Sequence, residues 1–291
     1  MIKNYYHTSV LLQEAVDSLA VSSGKRFIDA TLGGAGHTKE ILQRGGIVLG
    51  IDQDEDALAF VSEQIKNPNL VVALGNFKDI DTIAKENTFE QVDGILFDLG
   101  VSSHQFEEGA RGFSFQKDAN LDMRMGTSLS VKAADLVNGL TKGELMELFT
   151  KLGEEPFAKR IAEEIIKARE VKPIETTTEL AQIAIKGYPR GFHKIHPATK
   201  IFQALRIAVN DELNSLKTAL PKAVELLKKN GRLSVISFHS LEDRIVKEFL
   251  NECEEKGLGK VVTKKPIVPT EEEIQANARS RSAKLRVFEK I

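Results

Sequence analysis

The sequence predicts an α/β protein in which a parallel, doubly wound sheet is interrupted by a mostly helical insertion. Apolar runs of strand length alternate with helical patterns over residues 10–98, as in sheets covered by helices. From about residue 105 to residue 216, helical patterns recur without a convincing core strand. A strand-like run returns at residues 231–238. We therefore expect one domain at 1–104 with 217–291, and a second, helical domain at 105–216.

Residues 26–52 predict a strand, a glycine turn, a helix and a second strand that ends on Asp52. Gly33, Gly34 and Gly36 form the turn. Such a unit places glycine backbone and a helix N-terminus beside a ligand, and the acid about 20 residues on can accept from ribose hydroxyls. The unit is typical of nucleoside binding. The alternative is that the glycines are ordinary turn residues and the acid is a solvated strand end.

The spacing of the glycines argues against two common nucleotide sites. A dinucleotide fingerprint needs G-x-G-x-x-G, and counted from Gly34 its third glycine position holds Lys39. A phosphate-binding P-loop needs Gly-Lys-Ser/Thr, which does not follow this turn. A turn of similar shape binds S-adenosylmethionine, with its methionine part against the glycine backbone and its ribose at the acid of the second strand.

Two later strands end in residues that extend the same site. Residues 70–74 predict a third strand, which Phe77 follows, and residues 92–98 predict a fourth strand that ends on Asp98. The carboxyl ends of parallel strands meet at one edge of a sheet, where the ligands of α/β proteins bind. We therefore expect Asp52, Phe77 and Asp98 to lie beside the glycine turn.

The other elements follow from helical spacing and capping signals. Thr141 with Glu144 and Thr176 with Glu179 have the spacing of capping boxes, which begin helices in the insertion. The remaining predicted elements are helices at 10–19, 57–65 and 241–253 and strands at 231–238 and 284–288.

Composition excludes several classes of protein. An apolar fraction of 42% and a charged fraction of 28% are ordinary for a soluble chain. Cys253 is the single cysteine, which excludes an intramolecular disulfide, and no histidine pair has H-E-x-x-H spacing, so we predict no metal site. The apolar stretch after His7 is broken by Glu14 and Asp17, so it is neither a signal peptide nor a membrane span. We expect a cytoplasmic protein.

Charge is distributed unevenly, although the net charge is only −2. Residues 1–105 contain 8 basic and 15 acidic side chains, whereas residues 256–291 contain 9 basic and 4 acidic ones. Residues 181–210 contain five basic side chains and no acidic one. An acidic cofactor half beside two basic segments suits a polyanionic partner, and ordinary solvated faces explain each segment equally well.

Several stretches, in chain order, closely resemble a known family. They read HTSVLLQEAV, DLGVSSHQ, RGFSF, LDMRM, HPATKIFQALRIAVNDEL, GRLSVISFHSLEDRIVK and RSAKLR. The chain resembles the bacterial 16S ribosomal RNA (cytosine-N4)-methyltransferases, the RsmH or MraW family, from about His7 to Phe288. The departures are Ala30 where the family usually has glycine, Gly34-Ala35 in a variable turn, and Asn120 where proline is common. They affect turn geometry.

The resemblance implies a class I (Rossmann-like) S-adenosylmethionine-dependent methyltransferase sheet with an inserted substrate-recognition domain. It also implies 16S ribosomal RNA or the small ribosomal subunit as partner, with a cytidine of the decoding region as target; it is compatible with a homodimer. The implied cofactor contacts are Gly33, Ala35, Gly36, His37, Asp52, Phe77, Asp98 and Gln105. The residues alone indicate the turn, Asp52, Phe77 and Asp98, whereas His37 and Gln105 rest on the resemblance.

The stretch after the fourth strand is the candidate catalytic segment. Asp98 and the hydroxyls of Ser102 and Ser103 offer acceptors for the N–H groups of an amine, although these residue types also favour ordinary turns. We expect Asp98, helped by Ser102, to hold the amine in line with the methyl group. DNA amino-methyltransferases often have Asp-Pro-Pro-aromatic here, and this chain has Asp98-Leu-Gly-Val, so the group that contacts the amine stays open.

The base must leave its stack to reach this edge, and phosphate contacts and stacking then position the RNA. The candidate substrate contacts are Arg124, His196, Lys200, Arg206, His239, Arg281 and Lys284. Some have ordinary alternatives: Arg124 can pair with Asp122, and His196 can cap a helix. His239 beside Ser240 suggests a hydrolase, but G-x-S-x-G is absent, and we expect a structural or substrate-orienting role.

Two functions from other classes remain as alternatives. The first is an RNA-binding or partner-binding module with a vestigial cofactor site, and the second is an NAD-dependent oxidoreductase on the same half-fold. The broken dinucleotide pattern counts against the oxidoreductase. The intact turn with Asp52 and Asp98 counts against a vestigial site.

Overall fold

The structure, a computed structural model, describes residues 9–101, 111–126, 129–189, 191 and 195–291. The chain divides into two compact units, which are Met1–Ser102 with Leu213–Ile291, and Ser103–Glu212. The sequence places its boundaries at 104/105 and 216/217. No helix within the described ranges is long and apolar enough to cross a membrane.

The first unit contains, among its described residues, a seven-stranded sheet. Its strands are β1 (Arg26–Asp29), β2 (Ile47–Asp52), β3 (Leu70–Leu74), β4 (Val92–Asp98), β5 (Leu227–Ser237), β6 (Gly259–Val261) and β7 (Lys284–Lys290). Their order across the sheet is β3-β2-β1-β4-β5-β7-β6. Strands β1 to β5 run parallel, whereas β7 is antiparallel to both β5 and β6. This is the class I methyltransferase sheet, which confirms the predicted fold class. The parallel part predicted from the sequence is β1 to β5, and β7 adds an antiparallel strand.

Strand β4 shows why the central strands appear in the sequence as unbroken apolar runs. Ile95 and Phe97 pack into the core on one face of the sheet, whereas Leu96 packs into the core on the other face. All three side chains are fully buried. A strand that is covered on both faces needs apolar side chains at every position rather than at alternate ones. The helices on both faces are therefore already implied by the strand sequences.

The helices bury apolar faces against these cores and against each other. In chain order they are α1 (Leu12–Ser18), α2 (Gly36–Gln43), α3 (Glu55–Gln64), α4 (Ile80–Glu86), α5 (Ala133–Gly139), α6 (Lys142–Gly153), α7 (Ala158–Arg169), α8 (Thr177–Gly187), α9 (Ala198–Asn210), α10 (Glu212–Leu226), α11 (Ser240–Glu255) and α12 (Glu271–Ala276), with 3-10 turns at Phe77–Asp79 and Ala278–Ser282. The sequence analysis did not predict α4, α5, β6 or α12, each of which has seven residues or fewer, too few to show a clear period. Both predicted capping boxes are confirmed at the starts of α6 and α8.

Sheet register brings the functional strand ends together. Strand β1 lies between β2 and β4, and Asp29 at its end pairs with Gly50 of β2 and with Leu96 of β4. The strand order reverses between β1 and β4, which is where ligands bind in open α/β sheets. Ser237 at the end of β5 pairs with Lys284, so β7 begins at this same edge.

In the second unit, one asparagine fastens the loop that contains the LDMRM stretch. Asn210, at the end of α9, is buried, and its Oδ1 accepts from the N–H of Met125 at 2.8 Å. Its amide nitrogen donates to the carbonyls of Met123 and Arg206, both at 2.8 Å. Met123 has a φ of 63°, a left-handed conformation that a non-glycine residue adopts only when its surroundings hold it. The loop therefore depends on the side chain of Asn210.

Replacing this side chain tests that dependence. Asn210→Ala leaves buried backbone groups of the loop without partners, and we expect it to lower the free energy of unfolding of the second unit by about 2–4 kcal/mol. Urea denaturation of the full chain, followed by a probe in the second unit, measures this loss. Lys159→Ala, on the exposed side of α7, is the control and should change it by less than about 0.5 kcal/mol. Equal stability of both variants would contradict the assignment.

Candidate active site

Three carboxylates stand at the ends of three neighbouring strands. Asp29 ends β1, Asp52 ends β2 and Asp98 ends β4. Asp29 is 1% exposed, Asp52 is half-buried, and the side chain of Asp98 is 15% exposed. Carboxylates are rarely buried in this way without a cationic or hydrogen-bonding partner. The edge therefore has the character of a site for a ligand that carries positive charge and donates hydrogen bonds.

The glycine turn orients Asp52. The N–H of Gly33 donates to Oδ2 of Asp52 at 2.7 Å, and the N–H of Asp54 donates to Oδ1 at 2.9 Å. Burial raises the pKa of Asp52 to about 6, and these two hydrogen bonds act against that rise. Each oxygen keeps further acceptor capacity. The carboxylate is thus held in one orientation and can accept from a pair of neighbouring hydroxyls.

The residues after the turn begin α2 at the same edge. Ala35 has a φ of 59° and Gly33 a φ of 46°, so the backbone turns sharply before the helix. A Cβ at Gly36 would lie 1.9 Å from Oγ of Ser9, so glycine is required there for the close approach of the segment before α1. The contacts of Gly33, Ala35 and Gly36 with a cofactor stay predictions.

Asp29 is a member of this cluster that the sequence analysis missed. Oγ1 of Thr38 donates to its Oδ2 at 2.7 Å, and the N–H of Thr31 approaches its Oδ1 at 3.3 Å. Burial raises the pKa of Asp29 to about 6, against the effect of these hydrogen bonds. The signal was present in the sequence, because Asp29 ends the first strand as Asp52 and Asp98 end theirs.

Asp98 has the least satisfied carboxylate of the three. Its N–H donates to Oγ1 of Thr31 at 2.6 Å, which fixes the backbone. Its Oδ2 lies 3.7 Å from Nδ1 of His37, and its Oδ1 has no hydrogen-bond partner among the described residues. Burial, followed by the charges of Asp29 and Glu242, raises the pKa of Asp98 well above its ordinary value. A ligand that donates an N–H, or that carries positive charge, would satisfy this group.

Phe77 lies where the sequence placed it, directly after β3. Its half-buried ring meets the ring of Phe97 edge to face, with the centroids 5.6 Å apart. Asn76 donates to Oε1 of Gln53 at 2.9 Å, which links the ends of β3 and β2. The exposed part of the Phe77 ring offers an apolar surface against which a planar group can pack.

The predicted substrate contacts of the second unit all have partners within that unit. Nε and a terminal nitrogen of Arg124 donate to the two oxygens of Asp122 at 2.7 and 2.8 Å. Arg206 forms the same two-pronged contact with Glu212, at 2.8 and 2.9 Å. The Asp122–Arg124 pair that the sequence allowed as an ordinary alternative is therefore present.

His196 and Lys200 also serve the second unit. The His196 ring stacks on Phe115 with centroids 4.5 Å apart, and its Nδ1 accepts from the N–H of Ala198 at 3.1 Å. Nζ of Lys200 donates to the carbonyl of Glu154, beyond the end of α6, at 2.8 Å. The helix-capping alternative for His196 fits these contacts. RNA contacts of these residues stay predictions.

The predicted substrate contacts of the first unit differ in the partners that their side chains contact. Arg286 and Lys284 both donate to Asp243, with Nε to Oδ1 at 2.7 Å and Nζ to Oδ2 at 2.9 Å. This ion cluster joins the SLEDR and RSAKLR stretches. His239 caps α11, where its Nδ1 accepts from the N–H of Glu242 at 3.4 Å. Arg281 is exposed.

Two predicted residues cannot be placed, because Ser102 and Gln105 lie outside the described residues. Those that are placed include the core of the candidate site. The first unit contains all of these placed cofactor residues at the carboxyl edge of its sheet: the turn, His37, Asp52, Phe77 and Asp98. Two half-buried carboxylates beside the glycine turn fit a cationic nucleoside derivative better than a polyphosphate, which their negative charges would repel.

The family profile and the relatives that match this chain cover nearly its whole length. The sequence profile of the MraW methylase family matches residues 4–291. A ribosomal RNA small subunit methyltransferase H from Clostridium botulinum is 46% identical over 99% of this chain and 99% of that protein. One of the same name from Deinococcus deserti is 50% identical over 98% of this chain and 93% of that protein. A solved rRNA methylase from Streptococcus thermophilus covers 100% of this chain and 99% of that chain, with a TM-score of 0.47 and 14% identity.

The raised pKa of Asp29 predicts how stability depends on pH. The folded protein keeps this proton up to a pH of about 6, whereas the unfolded chain loses it near 3.8, so stability falls as pH rises between these values. The difference corresponds to about 3 kcal/mol. Asp29→Asn has no such proton, and we expect it to be more stable than the wild type at pH 7.5 by about 1–2 kcal/mol, since some hydrogen bonding is lost.

Thermal and urea unfolding between pH 4 and pH 8 checks this expectation. Glu63→Gln, on the exposed side of α3, is the matched control and should leave the pH profile unchanged. An Asp29→Asn protein that is destabilised at every pH, with the same slope as the wild type, would show that burial of this carboxylate does not oppose folding.

Proposed function

The chain belongs to the MraW methylase family, as its sequence resemblance indicated, and from this membership we propose that it methylates N4 of a cytidine in the decoding region of 16S ribosomal RNA. It is a methyltransferase, and its cofactor is S-adenosylmethionine. Relatives that match nearly the whole chain are named ribosomal RNA small subunit methyltransferase H, which supports RNA of the small subunit as substrate. The choice of cytidine and of N4 rests on the sequence resemblance.

One observation carries the proposal: the buried carboxylate of Asp98 stands where the strand order reverses, with its Oδ1 unpartnered among the described residues. Leaving a buried acceptor unsatisfied costs about 1–3 kcal/mol, and more for a charged group. A substrate amine at this position would donate an N–H to that oxygen. The same contact would direct the nitrogen toward the cofactor.

Residues of the first unit would hold the cofactor as follows. Asp52 accepts from the ribose hydroxyls, because the N–H groups of Gly33 and Asp54 leave each of its oxygens able to accept once more. Phe77 packs against the adenine. The backbone at Ala35 and Gly36 lies along the methionine part, with His37 following it on α2; Gln105 remains a predicted contact.

The exocyclic nitrogen of cytosine is a poor nucleophile, since its lone pair is delocalised into the ring. S-adenosylmethionine supplies a methyl group that the positive charge on sulfur activates. The task of the protein is therefore alignment of the amine and withdrawal of an N–H proton. We assign both tasks to Asp98, with the Ser102 hydroxyl as a second acceptor. The rigid backbone at Asp98, held by Thr31, supports this role.

RNA would reach this edge with its target base unstacked, as other base-modifying enzymes require. Arg281 is exposed and makes no ion pair with any described residue, which suits a phosphate contact. The proposed RNA contacts of the second unit, Arg124, His196, Lys200 and Arg206, would add to their present structural contacts. In the first unit we propose His239 and Lys284 as RNA contacts, again in addition to the contacts that they make within the fold.

The setting of the reaction follows from its substrate. We propose that the second unit recognises the RNA, and that the enzyme works in the cytoplasm on 16S ribosomal RNA or on the small ribosomal subunit. A homodimer stays an expectation from the resemblance.

Methyl transfer to RNA tests the proposal directly. The purified chain, labelled S-adenosylmethionine and either free 16S RNA or assembled small subunits are incubated, and the labelled nucleoside is identified by chromatography and mass spectrometry. We expect N4-methylcytidine at one position in the decoding region. Label in another nucleoside, or no transfer to either substrate, would overturn the proposed function.

Asp98→Ala removes the group that would contact the amine. We expect single-turnover methyl transfer to fall by about 100-fold or more, in the range that mutagenesis gives for a positioned acid–base or electrostatic group. Glu90→Gln, on the exposed turn before β4, should keep the wild-type rate. Full turnover by Asp98→Ala would remove Asp98 from the mechanism.

A further inference from the structure

His37 is held by a backbone carbonyl in a way that fixes its protonation. Its Nε2 lies 3.1 Å from the carbonyl oxygen of Val10. A carbonyl oxygen only accepts, so Nε2 must be the nitrogen that carries hydrogen. In the neutral ring, Nδ1 is then the unprotonated nitrogen. This nitrogen faces Oδ2 of Asp98 at 3.7 Å, and the His37 ring is 4% exposed.

The carbonyl of Val10 is itself held in place. The N–H of the next residue, Leu11, donates to Oε1 of Glu273 on α12 at 2.8 Å. Ser9, on the other side, packs against Gly36 so closely that a Cβ there would clash with its Oγ. The segment before α1 thus presents a rigid acceptor to His37. It links the C-terminal part of the first unit to the carboxylate edge.

The two oxygens of Asp98 therefore face different partners. Oδ2 faces Nδ1 of His37, and Oδ1 has no partner among the described residues. Resting on the function proposed above, we propose that His37 is a positioning residue for Asp98, and that its Nδ1 is the final acceptor of the proton that the substrate amine loses. Oδ1 receives the amine, and Oδ2 passes the proton on.

The step balances as follows. N4 of cytosine forms a bond to the methyl carbon, the bond from that carbon to sulfur breaks with its electron pair going to sulfur, and N4 loses one proton to Asp98. Asp98 passes this proton to Nδ1 of His37, which becomes an imidazolium that still donates from Nε2 to Val10. The carboxylate is regenerated beside a cation. The distance of 3.7 Å is long for a hydrogen bond, and such contacts tighten when substrate is bound.

The charged groups around the pair act on both of its members. Asp29 on β1 and Glu242 on α11 both place negative charge near Asp98. This negative charge stabilises the imidazolium form of His37, and it also raises the pKa of Asp98, so it favours a proton on either residue. The proton that the amine loses, held by either member of the pair, reduces the repulsion among Asp98, Asp29 and Glu242. A purely structural histidine would not be expected to affect the dependence of the rate on pH.

His37→Gln separates the two roles. Glutamine keeps an N–H that can reach the carbonyl of Val10, but it has no nitrogen that accepts a proton in this range of pH. Because His37 is also a proposed cofactor contact, cofactor affinity is measured separately by calorimetry and the rate is measured at saturating S-adenosylmethionine. We expect the single-turnover rate to fall by about 100-fold, with the acid limb of its pH profile displaced by at least about one pH unit. Lys39→Gln, on the exposed side of α2, should behave as wild type.

A second measurement needs no variant. Long-range ¹H–¹⁵N spectra of the full-length wild-type chain should show His37 with hydrogen on Nε2 when the ring is neutral. Hydrogen on Nδ1, or a His37→Gln rate and pH profile equal to those of wild type, would overturn the relay and leave the proposed function intact. If the wild-type chain transfers no methyl group to RNA, the proposed function fails and the relay fails with it.

Discussion

The burial of three carboxylates at adjacent strand ends is the constraint on which the site depends. The sheet order puts β2, β1 and β4 side by side, so Asp52, Asp29 and Asp98 share one edge. Burial raises the pKa of all three carboxyl groups, and the hydrogen bonds that Asp29 and Asp52 accept act against this rise. At the proposed site a cationic cofactor would supply compensating charge, and backbone hydrogen bonds from Gly33, Asp54 and Thr31 hold Asp52 and Asp29 in place. On this proposal, cofactor binding and the relief of repulsion among the carboxylates are the same event.

Much of the remaining sequence fastens this edge or the second unit. Asp243 joins the SLEDR stretch to the RSAKLR stretch through Lys284 and Arg286, at the point where β7 begins. Asn210 holds the loop of the LDMRM stretch in the second unit. Several cations that the sequence suggests for RNA binding thus have structural partners, and an RNA contact would have to share or replace them. An exposed position such as Arg281 is free of that requirement.

The sequence predicted the parts whose pattern is local. Strands β1 to β4 appear as apolar runs, of which β1, β2 and β4 are mostly buried and β3 is partly exposed, and the two capping boxes begin the helices that they predict. The reversed direction of β7 could not be read, because strand direction is set by long-range pairing. Asp29 was missed although its position resembled that of Asp52. The Val10 carbonyl could not be predicted at all, since backbone groups leave no signature in the sequence. The partners of Arg206 and Lys200, which are Glu212 and the carbonyl of Glu154, likewise depend on the tertiary structure.

The most direct test of the central claim is the number of protons exchanged when the cofactor binds. Calorimetric titration of the chain with S-adenosylmethionine at pH 6, in buffers of different ionisation enthalpy, gives this number. Asp29 and Asp52 have pKa values of about 6 in the ligand-free protein, and a bound cation favours their ionised forms. We expect release of on the order of one proton per cofactor bound. Binding without proton release, or no binding, would contradict the account.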